Sequence, residues 1–302
     1  MISILIPVYN FVISNLIKEL VKQATELPVP FEVIVIDDDS TNLKSKETNS
    51  EINKYPQVRY IENNKNLGRS ATRNLLAEKA QYKYLLFMDG DAETKSDNYI
   101  KKYYDLISDL PDNIVICGGT SYYNSPPTDP SLLLRWTYGK AREQRSANDR
   151  NKNPNAAFSA FNFLISKELF DQIKFDDTIL QYGHEDTLLG YEIKKMGISV
   201  QHIDNTLIHK GLEGNEIFLQ KTKTGITNLK SLYYRYVDRP DFIEDIKLLK
   251  TYKRLRKIRI GWTVKVIYKL FSKCIHRNLC GQKPKMFYFD VMKLGQIFLT
   301  KV

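Results

Sequence analysis

The feature that most constrains this chain is an alternation of strand and helix signals over its first 119 residues. Short strand-like runs recur at ISILIPV (2–8), FEVIVID (31–37), QVRYIE (57–62), YKYLLFMD (82–89) and NIVICGG (113–119). Segments with helical spacing lie between them. Residues 12–26 carry Val12, Leu16, Leu20 and Ala24 four apart, and residues 70–81 and 96–110 open with Ser70 and Ser96, side chains suited to capping a helix. Strands this rich in apolar residues need cover on both faces, so their alternation with helices predicts an α/β fold with a parallel sheet between helical layers. Ligands of such sheets bind beyond the carboxyl ends of the strands. Polar residues fall there: Asn10 after the first run, Asp37 to Ser40 after the second, Asp89 and Asp91 after the fourth.

Beyond residue 120 the pattern loosens. SYYNSPPTDP (121–130) is rich in turn formers, and the polar stretch 139–156, with Arg142, Arg145 and Arg150, reads as a long mobile loop. AAFSAFNFLISKELF (156–170) reads as a strand and then a helix starting near Ser166. HEDTLLGYEIKKMG (184–197) reads as a helix with acids at its start and Lys194 and Lys195 near its end, as the helix dipole favours. From about residue 215 the chain looks helical throughout. The apolar start MISILIPVYN lacks a basic region before it and a small-residue cleavage site after it, so it reads as a strand and not as a signal peptide. No run approaches the roughly 18 apolar residues a membrane-spanning helix needs. Cys117, Cys274 and Cys280 lack zinc-type spacing and read as thiols in a reducing compartment.

The candidate chemistry begins with Asp89 and Asp91. Two carboxylates separated by one glycine at the end of a buried strand repel each other unless a cation lies nearby, and a hard divalent cation prefers such oxygen ligands. IDDDSTN (36–42) holds the same place after its own strand; alone it also reads as an acidic turn with Ser40 or Thr41 capping the next helix. NLGRSATRN (66–74) sets Gly68, Arg69 and Arg73 around a helix start, where backbone N–H groups and arginines can hold an anion.

SILIPVYN, IDDDSTN, NLGRSATRN, FMDGDA and YGHEDTLL, in this order and at these spacings, resemble the family-2 glycosyltransferases of GT-A fold over about residues 1 to 210. The resemblance implies a Rossmann-like nucleotide-diphospho-sugar transferase domain over 1–214, with a donor half to about 118 and an acceptor half over about 119–214. A basic helical extension would follow over 215–302. It implies donor contacts from Pro7, Tyr9, Asn10, Asp38, Arg73 and Asp89, with Asp38 on the base. It implies Asp91 on a Mn²⁺ or Mg²⁺ that carries the donor diphosphate, and Glu185 and Asp186 as the catalytic pair, with Asp186 the general base. One departure is Asp39, which stands where the family's second motif commonly has glycine and so demands a somewhat different turn. His209, in LIHKGLE, is a candidate further metal ligand or phosphate contact; His184 adjoins the acidic pair; Trp136 and Tyr138 either stack on acceptor sugars or pack.

Charge adds a partner. The net +10 is uneven: residues 247–302 hold 15 Lys and Arg against Asp290 alone, or +14, while the first 246 residues hold 30 bases and 34 acids, or −4. In IRIGWTVKVIYKLFSKCI (258–275), Ile260, Val264, Ile267, Phe271 and Cys274 share one helical face and Lys265, Lys269 and Lys273 form a second stripe. Such a helix either packs its apolar face or lies on an anionic membrane. With the resemblance, the expected protein is an inverting hexosyl- or N-acetylhexosaminyltransferase of surface-polysaccharide type, cytoplasmic and peripheral at the inner face of the membrane. Its donor would be a UDP-sugar and its acceptor a glycan or glycolipid. Nothing resembles a nucleic-acid module. The rival readings are a nucleotidyltransferase on a related sheet, which needs no acidic pair at 185–186, and a non-enzymatic adaptor that binds membranes or polyanions through its tail.

Overall fold

The computed structural model describes residues 1–107, 113–178 and 183–301. Strands are β1 (Ile2–Val8), β2 (Phe31–Asp37), β3 (Val58–Glu62), β4 (Tyr84–Met88), β5 (Ala92–Thr94), β6 (Val115–Cys117), β7 (Thr120–Ser121), β8 (Asn162–Ser166), β9 (Gln201–His202) and β10 (Leu207–His209). Helices α1 (Ser14–Thr25), α2 (Leu43–Ser50), α3 (Arg69–Lys79), α4 (Tyr99–Ile107), α5 (Leu133–Tyr138), α6 (Ala147–Arg150), α7 (Lys167–Ile173) and α8 (Glu185–Lys195) lie among them. Helices α9 (Asn215–Arg235), α10 (Pro240–Asp245), α11 (Lys247–Lys257), α12 (Gly261–Leu279) and α13 (Met286–Leu299) follow. The chain forms two compact units. One comprises Met1–Ser121 and the described residues of 144–180 and 185–211; the other contains Tyr122–Glu143 and the chain from Leu212 onward.

In the first unit a seven-stranded sheet runs β3-β2-β1-β4-β8-β6-β9. Its first four strands are parallel, as their apolar continuity predicts, while β8 is antiparallel to both β4 and β6. Alternate residues sort to opposite faces. Ile2, Ile4, Ile6 and Val8 of β1 join the cluster covered by Leu16, Ile17 and Leu20 of α1 and Tyr99 and Tyr103 of α4. Leu5, Ile34 and Phe87 join the cluster covered by Leu76 of α3, Phe170 of α7 and Ile193 of α8.

Helix starts differ from expectation. Asn42, and not Ser40 or Thr41, caps α2 by accepting from the Ser45 N–H at 3.2 Å. Gly68 stands before α3, so Ser70 lies inside that helix. Ser96 precedes α4 by several residues and donates to Asn98 instead. The last residues of the expected helix 96–110 and Tyr182 of the YGHEDTLL motif lie outside the described residues.

The expected mobile loop is ordered structure. Residues 139–156 contain a π-helical turn at Gly139–Glu143 and α6, and a 3₁₀ turn at Pro130–Leu132 and α5 precede them. Arg150, at the end of α6, is buried; its donors go to the carbonyls of Arg145, Cys117, Gly118 and Ile203 and to Nδ1 of His202. His202 Nε2 therefore carries the ring proton and donates to the Pro154 carbonyl at 2.8 Å. Its burial holds its pKa below the usual histidine range. Tyr138 packs on Phe218 and Phe289, and the Trp136 indole N–H donates to the Tyr123 carbonyl, so both have packing or backbone partners.

The helical unit has its own core of Leu134, Phe218, Tyr268, Ile275, Leu279 and Phe289 with their neighbours. Helix α12 buries Tyr268, Ile275 and Leu279, whereas Ile260, Ile267, Phe271 and Cys274 of the stripe noted above stay exposed.

One buried polar group ties the first unit together where the site begins. Asn162, opposite Met88 in the β4–β8 register, accepts from the hydroxyls of Tyr99 (2.7 Å) and Tyr103 (2.8 Å). It donates to the carbonyls of Gly119 (3.0 Å) and Asn205 (2.9 Å). Its amide makes every hydrogen bond available to it. Asn162→Leu removes all four of these buried hydrogen bonds and is expected to lower unfolding free energy by about 3–5 kcal/mol; a loss under about 1 kcal/mol in chemical denaturation contradicts this account.

Candidate active site

The carboxyl ends of β1, β2 and β4 converge. At the end of β1, Pro7 is half-buried and Tyr9 exposed. Asn10 takes a left-handed conformation (φ 52°), open to asparagine more readily than to most residues. Its backbone N–H donates to Ser40 Oγ at 2.7 Å, and its side chain bonds Thr41 and the Asn42 N–H, joining the first motif to the second. Asp39 adopts φ 63°, so it occupies the left-handed region in which glycine is at ease; the carboxylate is accommodated by an unusual backbone angle at that residue.

Asp38, expected on the nucleotide base, is buried, and its carboxylate accepts from Asn63 Nδ2 (3.0 Å), Leu67 N–H (2.8 Å) and Gly68 N–H (2.9 Å). It organises the loop that leads into α3. Neighbouring Asp37 is fully buried and accepts from the Ser40 N–H and the Tyr60 hydroxyl.

Arg73 lies at the centre. One face of α3 turns inward, and Arg73 on it is 1% exposed. It donates to Asp89 Oδ1 at 2.6 Å, approaches Glu185 Oε1 at 3.7 Å and lies over the ring of Phe175 at 5.3 Å. Arg73, expected near the donor nucleotide, occupies the interior of the site, where it joins α3, the end of β4 and α8. Phe175, which completes its setting, carried no signal in the sequence.

That cation divides the carboxylates. Burial raises the pKa of Asp89, but Arg73 and Arg69 outweigh it and hold the carboxyl below its ordinary value. Asp186, one residue beyond Glu185, goes the other way: burial and then the charge of Glu185 raise its pKa to about 7. Its Oδ1 accepts from the Thr187 N–H at 2.7 Å. His184, before the pair, takes φ 73°.

The turn after β4 is tight: the Ala92 N–H donates to the Asp89 carbonyl, and a Cβ on Gly90 would meet the Pro7 carbonyl oxygen at 3.1 Å. Glycine therefore allows β1 and the acidic turn to approach. Strand β10 pairs antiparallel with β5, setting His209 opposite Ala92. His209 Nε2 thus lies 3.4 Å from Asp91 Oδ2. A Cβ on Gly211 would fall 2.1 Å from that same oxygen, so only glycine leaves the carboxylate its place. A carboxylate oxygen and an imidazole nitrogen this close are a donor pair that fits a divalent cation.

This sheet, with its acidic turn at the strand ends, is a GT-A glycosyltransferase fold. It is similar to the mannosyltransferase PcManGT from Pyrobaculum calidifontis in complex with GDP-Man and Mn²⁺, with a TM-score of 0.57 and 14% identity over 99% of this chain and 84% of that one. It is also similar to S. aureus TarS 1-349 in complex with UDP-GlcNAc, with a TM-score of 0.50 and 16% identity over 98% of this chain and 89% of that one. At such identities the likeness is one of fold.

Residues 3–174, more than half of the chain, match Glycosyl transferase family 2, and the chain belongs to that family. The nucleotidyltransferase and non-enzymatic readings are thereby set aside. A segment of 105 residues is 37% identical to a poly(ribitol-phosphate) beta-glucosyltransferase of Bacillus spizizenii, covering 34% of this chain and 16% of that protein. Another of 104 residues is 34% identical to an uncharacterized glycosyltransferase of Haemophilus influenzae, covering 34% of this chain and 40% of that protein.

The buried guanidinium generates a direct test. Arg73→Ala removes the ion-pair partner that Asp89 and Glu185 share and is expected to cost about 3–5 kcal/mol of unfolding free energy. Urea denaturation of the full chain measures it, and a loss below about 1 kcal/mol is incompatible with a buried ion network.

Proposed function

We propose that the protein is an inverting, metal-dependent glycosyltransferase. It moves a hexosyl or N-acetylhexosaminyl group from a nucleotide diphosphate donor, a UDP-sugar, to a glycan or lipid-linked glycan in surface-polysaccharide synthesis. The observation that carries this reading is the separation of carboxylates around Arg73: Asp89 is held charged while Asp186 is raised to about 7. Environments that push two carboxyls apart divide the roles of ligand and proton acceptor. The matched glucosyltransferase and the UDP-GlcNAc complex of TarS support the polymer class and the donor class.

In this scheme Pro7, Tyr9, Asn10 and Asp38 line the nucleoside end, Asp38 through the loop it orders, and Asp89 faces the ribose or sugar. Asp91 and His209 hold the divalent cation. When bound, Mn²⁺ or Mg²⁺ supplies positive charge against the diphosphate as it leaves. An imidazole ligand suits Mn²⁺ better than Mg²⁺, and Mn²⁺ is present in the PcManGT complex. Asp186 takes the proton of the acceptor hydroxyl as its oxygen bonds to the anomeric carbon. The bond from that carbon to phosphate oxygen breaks on the opposite side, and the electron pair leaves with the nucleoside diphosphate. Glu185, held by Arg73, raises the basicity of its neighbour.

The second unit supports an acceptor at a lipid surface. No helix among the described residues is long and apolar enough to cross a membrane. Yet Trp262 is 74% and Leu270 73% exposed, and Phe287 on α13 is 69% exposed. With Lys265, Lys269 and Lys273 these residues suit docking on an anionic bilayer at the inner face of the cytoplasmic membrane, with each basic residue near the surface contributing about 1 kcal/mol.

Because Asp186 accepts a proton only when ionised, and its pKa is raised, kcat/KM should rise with pH up to about 7 and level above it. Asp186→Asn should lower kcat by roughly 10²–10⁴-fold while donor binding persists. Asp91→Asn should abolish the effect of Mn²⁺ on donor binding and hydrolysis across a panel of nucleotide sugars. Full turnover by Asp186→Asn, or donor binding insensitive to both chelator and Asp91→Asn, contradicts the proposal.

Membrane docking is tested separately by sedimentation with phosphatidylglycerol and phosphatidylcholine vesicles. Binding should be confined to the anionic vesicles, weaken with salt and drop in Trp262→Asp/Leu270→Asp. Equal binding to both vesicle types, or none to either, refutes it.

A further inference from the structure

The helical unit carries a group of donors unrelated to the acidic turn. Glu216 lies in the first turn of α9, His276 in the last turn of α12, and Cys280 immediately after α12. One atom from each comes within 4.8 Å of the others, and among the described residues this is the one group of three or more His, Cys, Asp or Glu so arranged. His276 Nε2 is 3.0 Å from Glu216 Oε2, Cys280 Sγ is 3.3 Å from Glu216 Oε1, and Sγ is 3.8 Å from Nε2.

We propose that Glu216, His276 and Cys280 form a binding site for a zinc-class transition-metal cation, distinct from the divalent site of sugar transfer. The first argument is geometric. Bonds of about 2.0–2.1 Å to nitrogen, 2.0–2.2 Å to oxygen and 2.3 Å to sulfur, set tetrahedrally, imply donor–donor edges of about 3.3–3.6 Å. The observed distances, 3.0 and 3.3 Å to the two different carboxylate oxygens and 3.8 Å between Sγ and Nε2, lie close to those edges, and one oxygen serves both neighbours after a rotation of the carboxylate, since one atom from each residue already lies within 4.8 Å of the others. The helix fixes half of the site, because residues four apart share one face and the Cys280 N–H donates to the His276 carbonyl at 2.9 Å.

The second argument is the donor set. Thiolate, imidazole and carboxylate together select a borderline-soft cation over Mg²⁺ or Ca²⁺. On binding, the proton leaves Sγ for solvent, the metal–sulfur bond takes its place, and the neutral imidazole coordinates through Nε2 with its proton on Nδ1. A carboxylate and a thiolate then balance the two positive charges. The side chains of Glu216 and His276 are 69% and 50% exposed, which leaves a fourth position open to water. Bound there, the cation would fasten the start of α9 to the end of α12.

Co²⁺ titration of the full-length protein, followed by absorbance, tests the site. Wild type is expected to bind one Co²⁺ with a thiolate charge-transfer band and the strong visible bands of four-coordination, and Zn²⁺ should bleach both. Cys280→Ser should remove the charge-transfer band, and Glu216→Gln should weaken Co²⁺ binding by about tenfold or more. Cys274→Ser and Asp91→Asn should leave the band unchanged, which separates this site from the other exposed thiol and from the sugar-transfer cation. Absence of the band in wild type, or its survival in Cys280→Ser, overturns the proposal: the three residues then form only a hydrogen-bonded bridge. Neither result bears on donor binding, so the sugar-transfer reading stands or falls by its own measurements.

Discussion

A single buried guanidinium sets the terms for the catalytic unit. Removing a charge from water is costly unless it is paired, so wherever Arg73 is buried its partners must follow. Asp89 comes from the end of β4 and Glu185 from the start of α8, and Arg73 itself from α3. Three elements from distant parts of the sequence are thus held in one arrangement. The consequence reaches one residue further. Asp186 is half-buried beside Glu185, and the described ion pairs of Arg73 go to Asp89 and Glu185; burial and the charge of Glu185 therefore outweigh the Thr187 N–H and the nearby arginines, and its pKa rises. The feature that suits Asp186 to proton transfer is therefore a by-product of how its neighbours are neutralised.

Much of this was legible in the sequence, for identifiable reasons. The parallel half of the sheet was readable because strands buried on both faces must be apolar along their length, as VIVI in β2 and LLFM in β4 are. The acidic residues at 89, 91, 185 and 186 stood out through the order and spacing of their motifs, since a carboxylate at a strand end or helix start is on its own an ordinary turn or helix-dipole feature. The depth of Arg73 was not, since an arginine on a helix looks the same in sequence whether it faces solvent or a buried carboxylate. Pairing of His209 with Asp91 depends on β10 finding β5, a contact between short strands far apart in the chain. The segment around α6 read as a mobile loop because its order comes from Arg150 bonding backbone carbonyls, and carbonyls leave no trace in side-chain pattern.

Cysteine spacing shows the same limit. Cys274 and Cys280 match no zinc pattern, because such patterns describe ligands within one short segment. Here one ligand comes from α9 and two from the end of α12, so the group exists only once the helices pack. Helix electrostatics favours the same arrangement, with an acid in the first turn of one helix and a histidine in the last turn of another. That pairing alone accounts for Glu216 meeting His276; it does not account for a sulfur at the third corner.

The apolar residues of α12 exceed what one core needs. A helix packed against its neighbours requires a single stripe, and Tyr268, Ile275 and Leu279 supply it. Ile267, Leu270 and Phe271 lie on other faces and remain in solvent. Isolated apolar side chains on a surface need no explanation, but several on consecutive turns beside Lys265, Lys269 and Lys273 do. A protein partner would have to match both the grease and the regular positive charge. An anionic bilayer supplies both at once, with acyl chains for the apolar residues and phosphates for the lysines. The excess of +14 in residues 247–302 over a body of −4 fits the proposed docking, since such asymmetry would orient the chain toward a negative surface before any apolar contact forms.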